Sequence, residues 1–390
     1  MSLPVAVLTV AVGLCVYTYL GYPAMLKLLS LRGRRASQTQ LKNLPRISIV
    51  LPVYNEAAVI AATLEQILAI DYPVDRRQIL VVSDASTDGT DAIVSQFAGR
   101  GVQLLRLPRR QGKTAAENAA RQRLTGEIVV NTDASVRIDP AAIKALVAAF
   151  TDPSVGVASA RDVSVANVRE RGNRGEGAYV DYEMWIRDLE TSVGGIVGAS
   201  GCLYAIRAEL HLRPIPADLS RDFAAALTAC ENGYRAVSVP QALCYVPRGT
   251  SLRQEYRRKV RTITRGLATL AYKRALLNPL RYGAFAWMLF SHKVCRWLVP
   301  ALMGAAVAAL AILALSSEWA RVPLVATGAV ALLAAIGWFL AERVKLPRLL
   351  ALPTYVVAGN LAVLNAWLRL FAGRRAPVWE PTRRDAVPSS

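Results

Sequence analysis

The chain has 390 residues, 53% of them hydrophobic, and its 47 basic against 28 acidic side chains leave a formal charge of +19. Its five cysteines (15, 202, 230, 244 and 295) have no paired spacing, which argues against both a zinc site and a disulfide framework. No aromatic-studded basic ribbon or nucleic-acid motif accompanies the charge, so nucleic acid is not an expected partner; a cytoplasmic face lying on anionic lipid accounts for it.

In chain order, the first element is an apolar run, Leu3 to Leu29, with Lys27 as its one charge. About 20 such residues cross a hydrocarbon core, so residues 1–31 read as a transmembrane helix. Basic residues follow the run, as Arg32, Arg34 and Arg35, and none precedes it. The expectation is a retained anchor, N-terminus outside, at the cytoplasmic (inner) membrane, with the chain from residue 32 in the cytoplasm.

Strands and helices then alternate. Ile47 to Leu51 reads as a strand running into Pro52-Val53-Tyr54-Asn55-Glu56, and Ala57 to Ile70 spaces Val59, Leu64, Ile67 and Leu68 as an amphipathic helix. Asn55 is a candidate cap for that helix. The strand Ile79 to Val82 precedes a helix from Asp88 to Phe97, with Asp88 or Thr87 as N-cap. Val102 to Leu107, Gly112 to Leu124 and Ile128 to Val130 read as strand, helix and strand. Such alternation predicts an α/β sheet with helices on both faces. Further on come a helix Ile143 to Phe150, a strand Val155 to Ala158, a polar loop Arg169 to Gly177 and a helix Tyr179 to Leu189. Gly194 to Gly201 is glycine-rich, which lets backbone approach a ligand.

Val299 to Leu315 and Val322 to Leu340 carry no charge and read as spans; Leu349 to Phe371 is a further candidate, interrupted by Pro353. The basic tail, Arg374-Arg375 and Trp379 to Arg384, looks cytoplasmic, yet three full spans would put it outside. Either Leu349 to Phe371 does not cross, which is favoured, or Tyr282 to Trp297 adds a crossing, which His292, Lys293 and Arg296 make costly.

The chemistry sits in two runs, Val82-Ser83-Asp84-Ala85-Ser86-Thr87-Asp88-Gly89-Thr90 and Val130-Asn131-Thr132-Asp133-Ala134-Ser135. A strand that delivers a carboxylate at its C-terminal edge is how an open α/β sheet meets a nucleotide. Between them, Lys113 follows Gly112 at a helix start, a place suited to phosphate oxygens, although a solvated basic loop has the same composition. Arg258 and Arg261, three apart on a probable helix, share a face and suit either a diphosphate or a membrane surface. The only histidines are His211 and His292; the second precedes a span and reads as an interfacial anchor.

This ordered set, with the Pro52 to Glu56 turn, resembles the family 2 glycosyltransferases, inverting enzymes of GT-A fold. Gly198 to Arg207 and Ser291 to Trp297 are similar to the bacterial membrane-bound branch associated with polysaccharide synthesis. The resemblance spans residues 45–265. It implies a Rossmann-like nucleotide-sugar-binding half (45–138), an acceptor half (139–250), basic interfacial helices (251–280), membrane helices (281–372) and a tail (373–390).

It also implies roles. Asp84 meets the uracil imide of a UDP-sugar, although turn chemistry alone would explain it. Glu56 touches ribose or base, and Pro52 and Tyr54 shape the same wall. Asp133 opens a motif for Mg²⁺ or Mn²⁺, whose second acidic position is here Ser135. Gly198, Ala199, Ser200 and Gly201 line the acceptor side. Asp222 is the general base, with Asp218 as rival and a plain helix cap as the bland reading. Two departures stand out: Arg221 replaces the usual acid before Asp222, and no tryptophan follows Gln254 to Arg258, which puts processivity in doubt. The reading is an inverting, metal-dependent transferase moving a sugar from a UDP-sugar to a growing polysaccharide or lipid-linked glycan. Single transfer to a polyprenyl-phosphate-linked acceptor and a non-catalytic nucleotide-binding subunit remain as alternatives. Implied partners are the donor, the acceptor, the bilayer and polysaccharide-export or modification proteins.

Overall fold

The computed structural model describes residues 2–31, 43–165, 174–247, 251–344 and 346–374, with side chains of 174–178 and 348 left aside. Arg32 to Arg35, the 169–173 part of the expected loop and the tail from Arg375 lie outside the described residues. The chain divides into two compact units: residues 32–248, 268–276 and 377–390 form one, and residues 1–31, 249–267 and 277–376 the other.

The elements in order are α1 (Leu3–Val16), α2 (Tyr22–Ser30), β1 (Ile47–Val53), α3 (Ile60–Leu68), β2 (Arg77–Ser83), α4 (Thr90–Gln96), β3 (Val102–Arg106), α5 (Lys113–Ala120) and β4 (Ile128–Thr132). There follow β5 (Arg137–Ile138), α6 (Ala142–Ala148), β6 (Val155–Val165), α7 (Arg174–Val193), β7 (Leu203–Arg207), α8 (Ala208–His211), α9 (Arg221–Glu231) and β8 (Arg235–Pro247). Last come α10 (Leu252–Tyr272), α11 (Pro279–Leu289), α12 (Arg296–Ala314), α13 (Glu318–Leu340) and α14 (Arg348–Phe371).

The first unit is built on one eight-stranded sheet in the order β3-β2-β1-β4-β7-β6-β8-β5. The four strands β1 to β4 run parallel, and β7 enters antiparallel between β4 and β6. β1 is buried along its whole length, which is why it reads as an unbroken apolar run and not as an alternation. Successive side chains go to opposite faces. Ile49, Leu51, Val81 and Val130 pack with Ile60, Leu64 and Ile67 of α3 and Ile143 and Leu146 of α6. Val50, Leu80, Val82 and Val129 pack on the other face with Ala116 and Ala120 of α5 and Ala225, Ala226 and Ala229 of α9. Truncating one of these, such as Leu64→Ala, costs about 2–5 kcal/mol.

The strands are longer than the sequence suggests. β1 continues through Pro52 to Val53, because its ladder with β4 ends at Val50 and the proline's missing N–H is not needed there. β6 runs on to Val165 beside β8, with a register shift after Ala160. β8 was hidden by Pro240, which falls in that shift, opposite no β6 residue. Helix α7 begins at Arg174, so the expected loop is helical over its last four residues, 174–177.

In the other unit, Leu3–Ser30, Pro279–Ala314, Glu318–Leu340 and Leu349–Phe371 are long and apolar enough to cross a membrane. Helix α14 passes through Pro353 unbroken. Tyr282 to Trp297 is not a separate segment: it belongs to the 36-residue run that continues into α12, kinked at Gly283 and carrying a π-helical stretch Phe290–Cys295. A second π-helical stretch, Tyr17–Gly21, meets it, with the Tyr17 hydroxyl 2.7 Å from the Ser291 hydroxyl and accepting from Trp287 Nε1 at 2.9 Å. His292 is only 1% exposed and packs beside the Tyr22 ring; it is a packed side chain and not an anchor that reaches outward.

Candidate active site

The loops that leave β1 and β2 are stitched together. Asn55 and Ala85 both hold left-handed backbone, at φ 53° and 60°. Such strain in non-glycine residues persists only where the surroundings impose it. Here Asn55 N–H donates to Ser86 Oγ (3.2 Å), and Asn55 Oδ1 accepts from Thr87 N–H (2.8 Å). Glu56 N–H donates to Thr90 Oγ1 and Ala57 N–H to Asp88 Oδ2. Asn55 is therefore a loop staple and not a cap of α3, and Gly89, not Asp88 or Thr87, takes the N-cap position of α4. The Arg110 guanidinium lies 3.9 Å above the Tyr54 ring, so the wall expected of Tyr54 and Pro52 includes a cation.

Asp84 is 1% exposed, and both its oxygens are engaged: Oδ1 accepts from Gln111 N–H and Oδ2 from Gly112 N–H, each at 2.7 Å. Gly112 holds φ 94°, which only glycine adopts cheaply, and the turn so fixed starts α5 with Lys113 as its first residue. Asp84 thus aims Lys113, a task the sequence reading did not give it. Two of its roughly four lone-pair positions remain.

Lys113 Nζ donates to Asp133 Oδ1 at 2.5 Å and to the Gly201 carbonyl at 3.1 Å. Burial alone would lower its pKa, but the carboxylates of Asp133, Glu117 and Asp222 outweigh that and raise it. The ammonium is therefore held charged. Gly201 in turn abuts Asp222: a Cβ there would sit 2.8 Å from Asp222 Oδ2. Asp222 stands in the first turn of α9, its Oδ1 accepting from Ser220 Oγ at 2.5 Å. Thr114 Oγ1 donates to the Leu219 carbonyl at 2.9 Å, tying α5 to the loop that delivers Asp222. The rival Asp218 is exposed. Lys113, Asp133, Gly201 and Asp222, from separate stretches of sequence, converge.

With that geometry in place, the family described as "Glycosyl transferase family group 2" matches residues 128–341, more than half of the chain, and "Glycosyl transferase family 2" matches residues 48–205. The chain belongs to the family 2 glycosyltransferases. A β-monoglucosyldiacylglycerol synthase of Synechocystis is 29% identical to this chain over 39% of the chain and 33% of that protein. An N-acetylglucosaminyltransferase of Mesorhizobium japonicum is 28% identical over 55% of each. The chain thus spans about a third to a half of the length of the curated relatives it matches. Among solved structures, the mannosyltransferase PcManGT of Pyrobaculum calidifontis, in complex with GDP-Man and Mn²⁺, matches at a TM-score of 0.73 over 95% of this chain and 100% of that one, with 24% identity. The GT-A fold is thereby shown.

Among the described residues, no three His, Cys, Asp or Glu side chains cluster as a metal site. Asp133 nonetheless suits a cation: its carboxylate is about a quarter exposed and already holds one, the Lys113 ammonium, and the Ser135 hydroxyl follows two residues on. Such oxygen donors fit Mg²⁺ or Mn²⁺ if phosphate oxygens and water complete the shell. Of the residues expected on the acceptor side, Gly198, Ala199 and Ser200 are buried in the segment before β7. Ser200 Oγ donates to Asp162 Oδ1 at 2.6 Å, and its N–H to Ser159 Oγ. Arg258 forks onto Glu255 through two 2.7 Å hydrogen bonds within α10; Arg258 and Arg261 both lie in the unit that carries the membrane helices.

The sequence reading missed a buried polar group behind these residues. Arg221 is 4% exposed and donates to Asn118 Oδ1 (2.7 Å) and to the His211 carbonyl (2.5 Å). Glu117 is 1% exposed beside it. The available signal was the spacing: Glu117 lies one helical turn after Lys113.

Proposed function

We propose that the chain transfers a sugar, with inversion, from a UDP-sugar to a growing glycan or lipid-linked acceptor at the cytoplasmic face of the inner membrane. The convergence of Lys113, Asp133, Gly201 and Asp222 carries this reading. Asp222, its Oδ1 held by Ser220 Oγ, takes the proton of the acceptor hydroxyl as that oxygen attacks C1 from the face opposite the nucleotide, which inverts the centre. The close approach of Gly201 leaves backbone, and no side chain, between Asp222 and the acceptor. Asp133 with the Ser135 hydroxyl would hold Mg²⁺ or Mn²⁺, which neutralises charge on the departing diphosphate. Lys113 serves the same phosphates. Asp84 fixes the turn that presents Lys113, and its free lone pairs suit the imide N–H of uracil; Glu56, Tyr54 and Pro52 line the base and ribose. Arg258 and Arg261 are proposed for the diphosphate on their spacing.

Four candidate spans support a lipid-proximal reaction, and the relatives' names include a glycolipid synthase and N-acetylglucosaminyltransferases. The solved mannosyltransferase of the same fold holds GDP-Man and Mn²⁺. The missing tryptophan after Gln254 to Arg258 favours single transfer over polymerisation. The test is nucleoside diphosphate release by detergent-purified protein offered UDP-sugars and GDP-mannose with Mn²⁺ and lipid extract. Release from one UDP-sugar, lost in Asp222→Asn, is expected; release from no donor overturns the reading.

A further inference from the structure

Glu117 is a buried carboxylate with neither oxygen hydrogen-bonded. Buried polar groups are nearly always paired, and one that is not asks for a reason. The nearby guanidinium is not its partner: the Arg221 hydrogen bonds go to Asn118 Oδ1 and the His211 carbonyl. Four charged groups surround Glu117: Lys113 from its own helix, Asp133 from the loop after β4, and Arg221 and Asp222 from α9.

Lys113 and Glu117 stand four apart on α5 and share a face. Helical side chains lean toward the N-terminus, so the Glu117 carboxylate projects back over the turn that carries Lys113. The ammonium has three donors, of which Asp133 and Gly201 take two. Its four-carbon stem is flexible enough to change partner.

We infer that Glu117 is a second station for the Lys113 ammonium, receiving it when a nucleotide-bound divalent cation claims Asp133. This rests on the proposed metal role of Asp133. The ammonium sits on Asp133, the carboxylate proposed for the metal. A dication there would repel the ammonium, and an N–H left on Asp133 would oppose metal binding even while the other N–H groups serve the phosphates and Gly201. Glu117 removes that opposition by offering the released N–H a second acceptor. Burial raises its pKa, and Lys113 and Arg221 pull the pKa back down. Glu117 is a positioning residue: it acts through Lys113.

The test is a double-mutant cycle on Mn²⁺ affinity, read as loss of the free-Mn²⁺ electron paramagnetic resonance signal, with the full chain in detergent and UDP or GDP present. Glu117→Gln should weaken Mn²⁺ binding about tenfold in the wild-type background and less than twofold in a Lys113→Met background. Glu117→Met, which buries no polar group, should give the same pattern if the glutamine variant folds poorly; thermal unfolding checks both. Equal weakening in the two backgrounds would make Glu117 a counter-charge to Arg221 and overturn the hand-over. No weakening would overturn it as well. If wild-type protein retains no Mn²⁺ with either nucleotide, the metal reading of Asp133 fails first, and the hand-over falls with it.

Discussion

Asp84 and Asp133 close the two strands that flank β1 on either side, at the same end of the sheet, yet they lead different lives. Asp84 is 1% exposed and gives each oxygen to a backbone N–H of the Gln111-Gly112 turn, leaving one lone pair on each. Asp133 is partly open and holds only a side-chain ammonium on a flexible stem. A carboxylate bonded to backbone is architecture, since nothing can replace it without moving the chain. One bonded to a lysine is exchangeable. The same residue type at matching positions therefore divides into scaffold and reagent according to what it is bonded to.

The largest effects should fall on the exchangeable side. Asp222→Asn should lower product formation about 10²–10⁴-fold, and Asp133→Asn about 10²–10³-fold, in a donor-turnover assay, each with the unfolding midpoint nearly unchanged. Next, Gly201→Ala would press a Cβ onto Asp222 Oδ2 and should cost about 10² in kcat while leaving stability intact, since a shift of one ångström at a reacting group costs about that much.

Asp84→Asn attacks the scaffold. An amide N–H would face a backbone N–H, for about 1–3 kcal/mol of lost stability, and each kcal/mol lowers the midpoint by roughly 2–4 °C. The proposed uracil contact adds a rise in donor KM; if Asp84→Asn instead abolishes kcat with an unchanged midpoint, the division between the two aspartates collapses. The smallest effect concerns His211, a buried group whose pKa is driven well below 6.5 by burial and by Arg221 and Arg121. Its neutral form is the native one, so its stability contribution is present above pH 6.5 and is lost as pH falls from there toward its lowered native value. His211→Asn should flatten that acid limb by about 1 kcal/mol per unit of pKa difference, read from unfolding midpoints between pH 7 and 5.

Much of this was legible in the chain. The apolar β-branched runs before Asp84 and Asp133 announce buried parallel strands, and the ordered carboxylates and Gly112-Lys113 point to the family. What stayed hidden has physical causes. β7 and β8 pair with residues far away in sequence, and Pro240 disguises the second of them. The bonds of Asp84 to the 111–112 turn and the burial of Arg221 and Glu117 are tertiary facts, invisible to local pattern. A Lys–Glu spacing of four on a helix normally means a solvated pair; only burial turns it into something else.

The sheet has a last consequence. Residues 45–138 and 139–250 look like separate lobes in sequence, but β4 and β7 join them through a continuous ladder from Ile128↔Arg207 to Thr132↔Leu203. Asp133 and Gly201 stand just beyond that seam, one on each side. A seam of main-chain hydrogen bonds does not hinge. In the proposed reaction, donor and acceptor would therefore meet on a fixed workbench, and the adjustments of turnover would fall to loops and long side chains. Evolution could retool such an enzyme for a new sugar by editing its rims, without disturbing the spacing between attacking oxygen and leaving phosphate.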